Sequence, residues 1–130
     1  PVQTKGAYFI DFGWKGPVKV PDVTTVWKVK EPTESLVPHK PVTLYWDNGE
    51  GLAFERIITV DENYLFTVTD RVTNNTQTEL QLKAFGQVTR IGKPMTSGYY
   101  ILHEGAVGII DNRLKEFDYA KLLKDGTIQQ

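Results

Sequence analysis

Apolar and polar residues alternate with period two along much of this chain, and that period predicts β-strands. From Leu52 to Val60, the apolar residues Leu52, Phe54, Ile58 and Val60 share one face, and Arg56 interrupts them. The next segment repeats the device. Tyr64, Phe66, Val68 and Val72 point one way, and Thr67, Thr69, Arg71 and Thr73 the other. Such alternation marks half-buried antiparallel strands. Upstream, Gly13, Gly16, Pro17, Pro21, Pro32, Pro38 and Pro41 break the chain too often for long helices. Between those breaks lie the β-rich pieces "AYFIDFGW", "TTVWKV" and "VTLYW".

Downstream, Leu80, Leu82 and Ala84 keep step within "TQTELQLKAFGQVTRI", which predicts a strand with a bulge at Gly86. "GYYILHE" and "AVGIID" predict a short hairpin around Glu104–Gly105. "NRLKEFDYAKLLKD" fits two patterns. Leu114, Phe117, Lys121 and Leu122 have helical spacing, whereas Leu114 to Tyr119 alternates. We favour a strand through "LKEFDY" with a short helical turn after it. The class is therefore all-β, an antiparallel β-sandwich with strands at roughly ten-residue spacing.

Composition narrows the functions. The 130 residues are 40% hydrophobic and 24% charged, enough for one ordinary domain or part of a larger one. Net charge is −1, with both signs spread evenly. No basic stripe is present to neutralise phosphates, which argues against nucleic acid as a partner. Cysteine is absent, which removes disulfides, thiolate zinc sites and cysteine nucleophiles. No apolar run approaches the roughly 20 residues that span a bilayer. The chain opens at Pro1 without an initiator Met, as expected for a fragment of a longer protein.

The stretch "DNGEG" holds two acids, an amide and two glycines. A calcium loop of the EF-hand kind needs oxygen ligands at alternate positions and a Glu at the twelfth. Asp47 and Asn48 are adjacent, and Ile58 stands at the twelfth place. The stretch reads as a structural turn built on Asp47, Asn48, Gly49 and Gly51. In it Asn48–Gly49 would take two positive φ angles and Gly51 would allow a longer loop.

Catalytic chemistry finds little support. His39 lies in a proline-rich connector. His103 and Glu104 are neighbours at a strand end and would face opposite ways, so a half-buried, hydrogen-bonded His103 is the expected state. Ser35 and Ser97 lack a nucleophile-elbow context. "IGKPMTSG" has the wrong spacing for a phosphate loop. Asn74–Asn75–Thr76 matches a glycosylation sequon, which matters only in a eukaryotic secretory protein. Trp14, Trp27 and Trp46 are expected in the core. No cofactor, metal or catalytic residue is predicted.

Several phrases in order carry a resemblance: "YFIDFGW", "PDVTTVW", "PVTLYWDNGEGLAFERIITVDENYLFTVTDRVTN", "FGQVTRIGKP" and "GYYILHEGAVGIIDNRLKEFDY". Together they resemble the periplasmic domain of the YidC family, the bacterial inner-membrane protein insertases of the Oxa/Alb group. The likeness runs through nearly the whole chain.

The resemblance implies a β-supersandwich similar to galactose mutarotases. It implies a place at the periplasmic face of the bacterial inner membrane, between a first transmembrane helix and a membrane-embedded insertase core. It also implies a non-enzymatic role without nucleotide or metal. The implied partners are nascent membrane proteins and the Sec translocon accessory proteins SecD and SecF. The contact surface would lie around Leu102 to Lys124 and include Leu102, His103, Asp111, Asn112, Arg113, Lys115, Glu116 and Tyr119.

The family's domain is longer than this chain, so residues 1–130 are expected to be one incomplete segment of it, with exposed edge strands that invite self-association. The alternative is a free-standing carbohydrate-binding or mutarotase-like periplasmic protein, for which His39, His103 and Glu104 are the acid–base candidates. A structural export module without a ligand is a third reading.

Overall fold

The alternating run at the middle of the chain becomes the central strand of a four-stranded antiparallel sheet. A computed structural model describes residues 4–31, 35–95 and 102–125. Its elements are β1 (Tyr8–Lys15), β2 (Lys28–Val29), β3 (Val42–Asp47), β4 (Leu52–Val60), β5 (Phe66–Asn74), β6 (Lys83–Arg90), β7 (Gly105–Ile110), β8 (Arg113–Asp118) and α1 (Tyr119–Asp125). The pairing orders are β2-β3-β4-β5, β1-β6 and β7-β8. The all-β antiparallel class predicted from the alternation is what forms. Two compact units result, Ile10–Gln87 and a second made of Pro1–Phe9 with Val88–Gln130.

In the Ile10–Gln87 unit, Trp46 lies opposite Phe54, which lies opposite Val72. Leu52, Phe54 and Val60 are the buried apolar core, and all three belong to the period-two face of β4. Burying a side chain such as Phe54 contributes roughly 1.5–3 kcal/mol. The rings of Trp14 and Trp46 pack on Phe54 with centroids 6.0 and 5.7 Å away. Trp14 thus brings β1 over the inner face of the sheet, as a sandwich requires. In the ribbon of β1 and β6, Gly13 lets a ring approach. A Cβ on Gly13 would lie 2.5 Å from the Phe85 ring, and one on Gly86 would lie 3.5 Å from the ring of Phe12. Gly86 lies within β6, where a Cβ would stand at ordinary contact distance from Phe12.

The two turns of the β3–β4–β5 meander are built alike. In the first, Asn48 N–H donates to the Leu52 carbonyl at 3.0 Å. The Asn48 Oδ1 accepts from Glu50 N–H at 2.7 Å and Leu52 N–H at 3.0 Å. In the second, Asp61 N–H donates to the Leu65 carbonyl at 3.1 Å. The Asp61 Oδ1 accepts from Asn63 N–H at 2.8 Å and Leu65 N–H at 2.9 Å. The residue before each Leu is left-handed: Gly51 at φ 91° and Tyr64 at φ 62°. Of the two positive φ angles expected at Asn48–Gly49, only Gly49 has one, at 75°. Asn48 is buried instead, and its Nδ2 donates to the Lys19 carbonyl at 3.1 Å. Asp47 Oδ1 accepts from Gly49 N–H at 2.7 Å.

Three sequence expectations change. Tyr64 belongs to the turn, not to the strand face, because β5 starts at Phe66. Leu80 and Leu82 precede β6, which starts at Lys83. The late hairpin turns at Asp111–Asn112, not at Glu104–Gly105. Asp111 and Asn112 have φ of 50° and 59°. Two left-handed residues make the tight turn whose twist matches antiparallel strands, and Asp and Asn tolerate that conformation well. Residues 98–101 of "GYYILHE" lie outside the described residues. The strand through "LKEFDY" and the helical turn after it form as β8 and α1.

Candidate functional site

The hairpin of β7 and β8 places the residues expected at a partner surface in two groups. At its turn, Asp111, Asn112 and Arg113 are exposed, and Ile110, Asp111, Arg113 and Lys115 line an open polar cup. At its base, the carbonyl of Glu104 accepts from Tyr119 N–H at 3.1 Å, which ties the first residue of α1 to the start of the hairpin. His103 Nδ1 lies 3.3 Å from Asp118 Oδ1, while its Nε2 is buried without a partner. His103 is thus half-buried and paired. Leu102 beside it is 90% exposed.

The pairing register separates the side chains by face. Ile110 lies opposite Arg113 and Gly108 opposite Lys115, whereas Val107 lies opposite Glu116 and Ile109 opposite Leu114. Glu116 and Lys115 therefore point to opposite faces. Val107, Ile109 and Leu114 share the Glu116 face and are 60%, 75% and 65% exposed. The partner-surface residues named from the resemblance omit these three. Their period-two placement within "AVGII" and "RLKE" was the available signal, since an alternating strand predicts one face to be covered.

Each of the three acid–base candidates faces another polar side chain. His39, left-handed at φ 66°, has Nε2 3.4 Å from Glu62 Oε1. Glu104 Oε2 accepts from Lys93 Nζ at 3.1 Å, and His103 faces Asp118. Among the described residues, no three His, Asp or Glu side chains gather as a metal-ligand group. Thr96, Ser97 and Gly98 of "IGKPMTSG" lie outside the described residues.

Elsewhere the charges serve the sheet. On the outer face Glu55 accepts from Lys30 Nζ, and Arg71 Nη1 approaches it at 3.4 Å. The Lys30 hydrogen bond foremost, with help from the Lys30 and Arg71 charges, holds the Glu55 carboxyl below its ordinary value of 4.5. Asp22 is lowered too, chiefly by the hydroxyl and N–H of Thr24. On the inner face Arg56 donates to Asp70 through Nε at 2.7 Å and Nη2 at 2.9 Å.

Comparison with known proteins places this architecture. The family model for the YidC periplasmic domain matches residues 1–130. The chain is 46% identical over 129 residues to a membrane protein insertase YidC of Methylobacterium radiotolerans, covering 97% of this chain and 21% of that protein. It is 42% identical over 131 residues to the one of Methylobacterium nodulans, covering 98% and 21%. It is also 42% identical over 122 residues to the one of Rickettsia bellii, covering 92% and 22%. The chain thus spans about a fifth of the length of the curated relatives it matches. No solved structure matches. Among the described residues, no helix is long and apolar enough to cross a membrane. By the match to all of its residues and by these identities, the chain belongs to the YidC periplasmic-domain family.

Proposed function

We propose that this chain is the periplasmic part of a membrane protein insertase and works by protein contact, without chemistry of its own. The match of all 130 residues to the periplasmic-domain family, with relatives that carry the insertase name, is the observation that carries this reading. Full-length protein then assists insertion and folding of inner-membrane proteins, and nascent membrane segments are its substrates. This segment contacts the Sec accessory proteins SecD and SecF through the β7–β8 hairpin and its base. The exposed Val107, Ile109 and Leu114 support that contact, since apolar residues clustered on one face mark interaction surfaces. The segment also associates with itself through an unpaired strand edge.

The reading requires the intact gene to encode apolar spans of about 20 residues around this segment. A gene without them removes it. The Sec contact is tested by photo-crosslinkers at Leu102, Arg113, Leu114 and Glu116 of the full-length protein, in membranes containing SecD and SecF. Adducts are expected from these positions and not from Thr43 or Thr73 on the outer face of the four-stranded sheet. Equal yields from both sets overturn the assigned surface.

A further inference from the structure

Two turns of the Ile10–Gln87 unit meet around one cleft. In the first, Lys40 N–H donates to the Val37 carbonyl at 3.1 Å, with Pro38 and the left-handed His39 between them. The second is the β4–β5 turn, with Tyr64 left-handed at φ 62°. His39 Nε2 lies 3.4 Å from Glu62 Oε1 and links the two. Val37, Pro38, Val60 and Phe66 wall the cleft, and Asp61, Glu62 and Tyr64 give it polar groups. Its volume is about 260 Å³. Small-molecule sites occupy roughly 300–1,000 Å³, so this one suits a single side chain.

The backbone marks the same place. Among the described residues, four other than glycine are left-handed: His39, Tyr64, Asp111 and Asn112. Asp, Asn and His tolerate that conformation, whereas a bulky tyrosine does not. Gly51 fills the matching position of the first meander turn, so the turn itself does not require a ring. Core packing does not offset the strain either, because Tyr64 is 83% exposed. Strained residues of this kind cluster at binding sites.

The charges select the ligand. Asp61 Oδ1 already accepts from two turn N–H groups, and Glu62 presents a carboxylate that is 79% exposed. Among the described residues, no lysine or arginine pairs with either acid. Acids and an aromatic face above apolar walls match a side chain with an apolar stem and a cationic end.

We propose that this cleft binds a lysine or arginine side chain presented by another protein. The stem lies along Val37, Pro38 and Phe66, and the cation sits between the Glu62 carboxylate and the Tyr64 ring. The site needs neither the Sec contact nor self-association.

The test uses full-length protein, a carbodiimide, and a short N-acetylated peptide amide with one lysine among alanines. The reagent joins a carboxylate to the lysine amine held beside it, and peptide mapping by mass spectrometry reads the yield at each acid. Glu50, exposed in the first meander turn, is the internal reference. Each yield is divided by that obtained with methylamine, which corrects for intrinsic reactivity. The corrected yield is expected to be about fivefold higher at Glu62 than at Glu50. Tyr64→Phe should keep that ratio. Tyr64→Gly should bring it close to unity, and it stays folded because glycine suits the left-handed backbone. A competing arginine peptide should lower the Glu62 yield, and a norleucine peptide should not. Equal corrected yields at Glu62 and Glu50, or a ratio unchanged in Tyr64→Gly, overturn the site. Competition by norleucine as strong as by arginine overturns the assignment of a cation.

Discussion

Arg56 and Asp70 lie directly opposite each other on the inner face of the sheet and are joined by two hydrogen bonds, at 2.7 and 2.9 Å. Their side chains are only 14% and 15% exposed. The rings of Phe12 and Trp27 also lie within cation–π distance of the guanidinium, at 5.5 and 5.4 Å. The charge that breaks the apolar run of β4 is thus matched by the acid that β5 brings opposite it.

Removing one partner leaves the other charge largely buried and unpaired. Asp70→Ala and Arg56→Met are each expected to destabilise the fold by about 3 kcal/mol. The double variant Arg56→Met/Asp70→Val should cost less than either single change, because no charge remains to be desolvated. Urea denaturation of the four proteins measures this. Additive losses would mean that the pair is not coupled.

Asn48 joins β3 to β4 through its side chain and reaches back to Lys19. Asn48→Ala leaves two turn N–H groups and the Lys19 carbonyl without that partner. A loss of about 2 kcal/mol is expected. The urea midpoint should fall while the slope stays constant. An unchanged midpoint would show that water replaces the amide fully.

The twin turns make opposite predictions at matching positions. Tyr64 occupies the left-handed place that Gly51 holds in the first turn. A left-handed residue with a Cβ costs roughly 1–2 kcal/mol, partly offset by the entropy glycine loses on folding. Tyr64→Gly should therefore raise the melting temperature. Gly51→Ala should lower it, because a Cβ there would also lie 2.8 Å from Thr76 Cγ2. Calorimetry of both variants checks the pair of signs.

Glu55 has a carboxyl pKa below its ordinary 4.5. A depressed folded value means that its contribution to stability is present above the unfolded pKa. That contribution is lost as pH falls through the lower folded value. Between pH 7 and pH 3 the wild type should lose more stability than Glu55→Gln, whose side chain does not titrate. Identical pH profiles would remove Glu55 from the acid response. Some slope should persist in the variant, because Asp22 is lowered as well.

Strands and their faces were legible in the sequence because the pleat is local. Leu52, Phe54 and Val60 could be assigned to the core without knowing any neighbour, since side chains alternate whatever strand pairs alongside. The family, too, was legible in the ordered phrases from Tyr8 to Tyr119. Turn chemistry was legible only in part. Glycine and asparagine announced the β3–β4 loop, but Tyr64 gives no sign of a left-handed backbone. Asp111–Asn112 has no glycine to announce its turn, unlike Glu104–Gly105.

What the sequence by itself determined is the period-two alternation, hence the all-β class and the buried face of β4. What only the tertiary structure decided is which residues meet. Arg56 could be read as an interruption until β5 set Asp70 opposite it. Asn48 could be read as a turn residue until the chain near Lys19 came to its amide. Both contacts join different segments of the chain, 14 residues apart for Arg56 and Asp70 and 29 for Asn48 and Lys19. Such pairings depend on register and burial, which arise from the assembled sheet and not from any local run of residues.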